Sequence, residues 1–562
     1  MSKLRAPAGL MLALLAVALF HIDPAGAQSA RRVPPARPDV QVKRLSALTP
    51  VAEDALTRAL RSGEIDAAQY ALERATMLFR SRGVRARYGA GVRRPDPRQA
   101  TFVLRDLALR LADLSPAERS RAERLLARPT DGAADPDGQG YSVSEATPVC
   151  TAAEFCIHYV GSTVDAPPPS DADADLVPDW VEAAAGVVAQ VWASEVTAFG
   201  YRAPLADATS PNNGGDGRLD IYLANLGDEG IYGYCTTDDP NAADPNYQFL
   251  AFSAYCVIDN DFLETIFASS TPLQSMQVTV AHEFFHAVQF AYDAGEDLWL
   301  MEGTAAWVED EVHDGINDNR QYLESSPLTL SRVPLDWGLN GFEYGAWISY
   351  RYLSERYGRG IVRSIWGRAD GSPAALFGNQ HSLQAVANTL AARGLAFRNV
   401  FNSFSRANRL TRRSYQEGAV YPPRPATRAT WTLTGSRRIG SGSPRLLQLG
   451  AETIAFRPGR GIGRRARLEL RLNLPSNWRG SEAGVLVFRP NGALISNRRI
   501  TLNRYGNAIL HVGFGRGRVA RVELLLANAS RRYACWQGTV WSCQGFPLDD
   551  NLVFSYRARA IS

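Results

Sequence analysis

The 562-residue chain predicts a multidomain protein with an α-helical N-terminal region, a mixed α+β middle and a C-terminal all-β sandwich. Its length exceeds a single typical hydrophobic core, so two to four units are expected. Helical periodicity marks residues 52–127, whereas short alternating apolar runs separated by Gly, Pro, Asn and Arg turns take over beyond Pro425. Charge is uneven as well. From Arg428 onward 22 arginines stand against six acidic residues, so the rest of the chain is net acidic although the whole carries +4. The predicted units are 1–27, 28–145, 146–422 and 426–562.

Residues 1–27 have the parts of a secretory signal. Lys3 and Arg5 make a basic start, Gly9 to Phe20 is an apolar run too short to span a bilayer comfortably, and Ala25-Gly26-Ala27 is a small-residue cleavage site. No later stretch reads as a transmembrane segment, so the mature protein is expected to be secreted, periplasmic or extracellular. All six cysteines follow the signal in close pairs: Cys150 with Cys156, Cys235 with Cys256, Cys535 with Cys543. Neighbour pairing as disulfides is the simplest of the connectivities; a cysteine zinc site lacks any Cys-x-x-Cys pair.

A Pro/Arg-rich linker runs to Pro38, and helical stretches follow at 52–82, 98–114 and 115–127. Ser115 reads as an N-cap, with Pro116 first in the helix and Glu118 three residues on. The helical region serves equally as a removable propeptide or a permanent domain. The polar stretch Asp131 to Gly140 is a boundary and a possible processing site.

In the middle unit, Phe155 to Val160 alternates like a strand, and His158 within it reads as structural. Asp171, Asp173, Asp175, Asp179 and Glu182 reproduce the ligand spacing of an EF-hand-type calcium loop, with Trp180 opening the exiting helix. Leu176 stands where glycine usually permits the sharp turn. Asn212 to Asp220 reads first as a turn into a strand at 219–223. His282-Glu283-Phe284-Phe285-His286 lies in a segment of helical spacing, 278–292. Two histidines four apart share a helix face, so both imidazoles reach one metal, and Glu283 between them can work on a water held there. Sixteen residues after His286 comes Glu302, beyond a turn-like Asp293 to Asp297, in the expected first turn of a second helix. These residues together point to a zinc-dependent hydrolase.

His282-Glu283-x-x-His286 followed by Trp299-Leu300-x-Glu302-Gly303-x-Ala305 resembles the gluzincins, zinc metallopeptidases with two histidines and a glutamate on the metal. The longer string HEFFHAVQFAYD…WLMEGTAAWVEDEV is similar to a poorly characterised family of large secreted bacterial metallopeptidases. The resemblance implies a zincin-like domain over 146–422. It implies zinc ligands His282, His286 and Glu302, with Glu283 as general base toward a peptide or protein substrate. Tyr344, in Phe342-Glu343-Tyr344, matches loosely a tyrosine that gluzincin aminopeptidases use to stabilise the oxyanion; its other reading is a core aromatic. Those aminopeptidases carry a Gly-x-Met-Glu-Asn strand ahead of the zinc helix. The segment 247–258, expected to lie alongside the substrate, has neither that motif nor any acidic residue, which favours an endopeptidase. The alternatives are an aminopeptidase and a non-catalytic calcium-binding adhesion protein on the same scaffold.

Strands of the β unit are expected at 446–456, 466–472, 484–488, 508–512, 519–526 and 552–556. Its arginines invite an anionic partner such as a cell-envelope polymer, but without aromatic interleaving arginines on solvated strand faces are the preferred reading; no specific nucleic acid is expected.

Overall fold

The computed structural model describes residues 54–89, 91–131, 140–210, 212–263, 265–267 and 270–562. The signal segment, the Pro/Arg-rich linker and most of the 131–140 boundary lie outside the described residues.

The predicted 52–82 helix is three helices: α1 (Ala55–Ser62), α2 (Ala67–Phe79) and α3 (Ser81–Tyr88). Gly63, at φ 75°, caps α1, and Asp66 forms a capping box with Gln69 at the start of α2. A stop and a start signal are thus embedded in one apolar periodicity. The 98–114 stretch holds α4 (Ala100–Ala108) after a 3-10 turn at Pro97–Gln99. α5 (Pro116–Leu125) begins as expected, with the Ser115–Glu118 capping box.

The middle unit is built on a five-stranded sheet of order β1-β2-β3-β5-β4: β1 (Val149–Cys150), β2 (Phe155–His158), β3 (Leu219–Ala224), β4 (Gly233–Thr236) and β5 (Tyr255–Asp259). β2, β3 and β5 are parallel; β1 and β4 run antiparallel at the edges. Successive residues of a strand face opposite sides. Ile221, Leu223, Cys256 and Ile258 pack into a core with α6 (Asp179–Trp192) and α7 (Pro272–Asp293). Tyr222, Ala224, Tyr255 and Val257 pack with α2, α4 and α5 on the other side. The N-terminal helices are therefore the second wall of the sheet. They are pinned there by Arg128, whose buried guanidinium reaches Asp207 at 2.7 Å and Asp238 at 2.8 Å and also pairs with Asp220.

Residues 247–258 do not form one strand. Only Tyr255–Asp259 is strand, and β3 and β4 flank it on both sides, so neither edge can accept a further chain. The edge on the β5 side belongs to β4, whose four residues are too short to announce themselves by periodicity. All three neighbour disulfides form, in keeping with an oxidising compartment. His158 is structural, held by Glu145 and Asp220 at 2.9 Å each. The loop ending at Asp220 is the expected turn into β3.

Beyond Ala429 two sheets share one buried core. The five-stranded sheet runs Leu494–Ile500, Ser481–Phe488, Arg521–Asn528, Ala451–Pro458, Ala429–Leu433; the four-stranded one runs Asn507–Gly513, Arg467–Asn473, Ser555–Ile561, Ile439–Gly442. The strands at 429–433, 439–442 and 494–500 were not expected. Each is a sheet edge with few fully buried residues, so its apolar signal is weak. Ala451, Leu525 and Ala527 of the five-stranded sheet also enter the core of the middle unit. Among the described residues, no helix is long and apolar enough to cross a membrane.

Candidate metal centre

α7 starts from a Thr271–Gln274 capping box with Pro272 first, and runs 22 residues through the interior. After the turn at Asp293 to Asp297, α8 (Leu298–Val312) packs against it. Glu302 falls in the second turn of α8, one turn later than predicted, because the helix starts at Leu298. Gly303 permits the close approach of the next helix: a Cβ there would lie 2.8 Å from the Tyr350 ring.

The structure brings His282, His286 and Glu302 together. Glu302 Oε2 lies 3.2 Å from His282 Nε2 and 3.6 Å from His286 Nε2, and one donor atom from each residue falls within 4.8 Å of the others. The outward nitrogens are committed elsewhere. His282 Nδ1 is 2.6 Å from Glu309 Oε1, and His286 Nδ1 is 2.7 Å from Gln289 Oε1. Gln289 is itself oriented, its amide donating to the Met301 carbonyl at 2.9 Å and to Thr304 Oγ1 at 3.1 Å. Acceptors on both Nδ1 atoms would hold the ring protons there when a metal takes the two Nε2 lone pairs. This donor set suits zinc.

Sequence reasoning missed Gln289 and Glu309. The signals were present: Gln289 lies three residues after His286, and Glu309 lies two turns after Glu302.

Burial would raise the Glu302 carboxyl, but hydrogen bonds from His282 and His286 outweigh it and hold it down at about 2. Burial pushes Glu309 up to about 8 against the pull of His282. Burial works to lower His282, and its bonds to Glu302 and Glu309 raise it above the ordinary imidazole range. Carboxyl groups thus converge on two imidazoles in a dry interior, an environment that favours a cation.

Tyr344 reaches the site: its hydroxyl is 2.6 Å from Glu302 Oε1 and 2.7 Å from the Arg98 carbonyl. Burial, then the Glu302 charge, keep it protonated.

The N-terminal region covers the centre. Thr101 Oγ1 donates to Glu283 Oε2 at 3.0 Å and accepts from the Cys235 N–H on edge strand β4 at 3.0 Å. The Phe102 ring meets His286 edge-on, centroids 5.0 Å apart. Gln99 donates to Glu343 Oε1 at 2.7 Å, and Arg105 donates to the Ala294 carbonyl in the α7–α8 turn at 3.0 Å. Glu283 is left 6% exposed and His286 1%.

The acidic loop brings together only part of the predicted calcium set. Asp171, Asp173 and Asp175 each offer an oxygen within 4.8 Å of the others, and Leu176 takes the left-handed turn itself at φ 76°. Asp179 and Glu182 do not join that group. Asp179 instead accepts from Ser170 Oγ at 2.6 Å and from the Ala172 N–H at 3.0 Å, closing the loop over the start of α6.

No protein-family model and no curated protein sequence matches the chain. Limited likeness is found to solved structures, among them these two. One is CorA, a surface-associated copper-binding protein of Methylomicrobium album BG8, 7% identical over 24% of this chain and 96% of that one, with a TM-score of 0.14. The other is a family GH115 4-O-methyl-α-glucuronidase, 8% identical over 53% of this chain and 39% of that one, also with a TM-score of 0.14. Neither likeness bears on fold or function.

Proposed function

We propose that the chain is a secreted zinc metallopeptidase of the gluzincin type on a zincin-like scaffold, an endopeptidase kept latent by its N-terminal region. The convergence of His282 Nε2, His286 Nε2 and Glu302 Oε2 beside Glu283 carries this reading. Zinc held by those three side chains would supply Lewis acidity. Glu283 takes a proton from the attacking water and delivers it to the departing amine. The Tyr344 hydroxyl, beside Glu302, is the donor available to a developing oxyanion once the Arg98 carbonyl has withdrawn. β4 offers an edge along which an extended polypeptide can add. A non-catalytic protein on this scaffold would be expected to lose a ligand or the base, and all four side chains stand together.

Metal analysis tests the ligand set. The purified chain is expected to carry about one zinc, and His286→Ala to carry none while keeping its disulfides and far-UV spectrum. Full zinc in the variant would remove His286 from the set.

One observation favours the aminopeptidase reading. Glu343, next to Tyr344, presents a buried carboxyl to the Gln99 amide in the covered cleft, where it could meet a substrate amine. Faster cleavage of peptides with free rather than acetylated N-termini, lost in Glu343→Gln, would establish it.

For the acidic loop the proposal narrows to calcium on Asp171, Asp173 and Asp175, with Asp179 and Glu182 able to join only by rotating inward. Calcium should raise the unfolding temperature by a few degrees, and Asp173→Asn should abolish the rise. A rise that survives the substitution would place the ion elsewhere.

A further inference from the structure

An open cleft of about 820 Å³ lies between the helical part of the middle unit and the β-sandwich. His381, Gln384 and Asn388 line one wall; Trp478, Arg531 and Trp536 line the other. The volume is that of a ligand site, and such sites favour seams between units. Amides, arginines and indoles supply the polar lining, and no Asp or Glu lines it among the described residues.

Trp478 is 67% exposed and Trp536 40%. Large aromatics left open in one cleft ordinarily mark a binding surface. Trp536 is moreover held at φ 60°, a backbone that a bulky side chain disfavours. The Cys535–Cys543 bridge closes its loop, and its N–H donates to the Cys543 carbonyl at 2.9 Å. Such outliers persist where the fold enforces them, and they cluster at ligand clamps.

The cations of the cleft are unequal. Arg398 is bound to Asn477, while Arg532 lies 4.5 Å above the Trp478 ring and 3.1 Å from Asp549. Arg531 is exposed and has no partner among the described residues. His381 Nδ1 is buried without a hydrogen bond. Burial, and then Arg531, push this imidazole down to about 4, so it offers a neutral ring.

We propose that this cleft binds an anionic polysaccharide, with sugar faces on Trp478 and Trp536, hydroxyls on the amides and His381, and a carboxylate on Arg531. Indoles present flat apolar surface at little entropic cost, and a guanidinium suits a carboxylate. Single-stranded nucleic acid also stacks on indoles, but it needs a track of uncommitted cations along its backbone. One free arginine among neutral amides fits a hydroxyl-rich chain of sparse charge better. The site is independent of the metal centre.

The test is titration of the full chain with oligogalacturonate, maltooligosaccharide and oligothymidylate, read by tryptophan fluorescence and calorimetry. Oligogalacturonate should bind, and Arg531→Ala and Trp536→Ala should each weaken it about tenfold, the loss of one charge-assisted contact or stacking face. Trp478→Ala, outside the disulfide loop, gives the same answer if Trp536→Ala fails to fold. Absence of oligogalacturonate binding, or binding indifferent to all three substitutions, overturns the proposal. Tighter binding of oligothymidylate through the same residues overturns it in favour of nucleic acid, and equal binding of maltooligosaccharide removes the role of Arg531.

Discussion

Glu283→Gln is expected to lower hydrolysis of an unfolded protein substrate by about 10²–10⁴-fold while leaving zinc at about one per chain. Glutamine keeps the shape of the side chain and a carbonyl oxygen for the Thr101 hydroxyl, which lies 3.0 Å from Glu283 Oε2. What it loses is the ability to hold a proton between water and the departing amine. The three proposed zinc donors are His282, His286 and Glu302, and the groups that orient the two imidazoles are Glu309 and Gln289. None of these contacts involves the Glu283 carboxylate, so metal content should not follow activity. The measurement is hydrolysis of a quenched-fluorescence casein beside metal analysis of the same samples. Wild-type turnover in the variant would sink the general-base role. Joint loss of zinc and activity would instead make Glu283 part of the metal's hold.

The convergence of His282, His286 and Glu302 was the most legible part of the sequence, because it is written at helical spacing: His282 and His286 four apart, Glu302 beyond one turn. The disulfides were legible because each pair is short in sequence. The central sheet was harder. β3 falls where a strand is expected, at 219–223, but β5 is buried on both faces, so the period-two signal that would mark its start within 247–258 is erased. β4, with four residues, gave no pattern, and of the 247–258 stretch expected as one strand only the end, from Tyr255, is strand. The cover over the site could not be read at all. Thr101 and Glu283 are 182 residues apart, and nothing local in Gln99-Ala100-Thr101-Phe102 distinguishes it from an ordinary helix start. In the acidic loop, spacing predicted five ligands, but Asp179 found hydrogen bonds on Ser170 and Ala172 that spacing does not encode.

Clearing residues 98–102 from the cleft should raise peptidase activity by about 30–1,000-fold. The contacts over the proposed site are Thr101 on Glu283, the Arg98 carbonyl on Tyr344 and Gln99 on Glu343. At about 0.5–1.5 kcal/mol net each, exposing the site costs on the order of 2–4 kcal/mol, and activity is suppressed by the corresponding closed fraction. Cutting the chain within 131–140 should not be enough. The N-terminal helices share a core with Tyr222, Tyr234, Tyr255 and Val257, and Arg128 stays buried among Asp207, Asp220 and Asp238. A nicked chain is thus expected to remain a latent non-covalent complex, and activity should appear only when the N-terminal fragment is degraded. The comparison is hydrolysis by the intact chain, by the nicked complex and by the same complex after digestion of the fragment. Because digestion bares an apolar sheet face, the intact chain carrying Thr101→Ala and Phe102→Ala provides a second route. It keeps the docked core and loosens only the cover, so its activity should rise several-fold at unchanged zinc content. If neither digestion nor the double substitution raises the rate, the N-terminal helices are a permanent wall of the domain and substrate reaches Glu283 by another path.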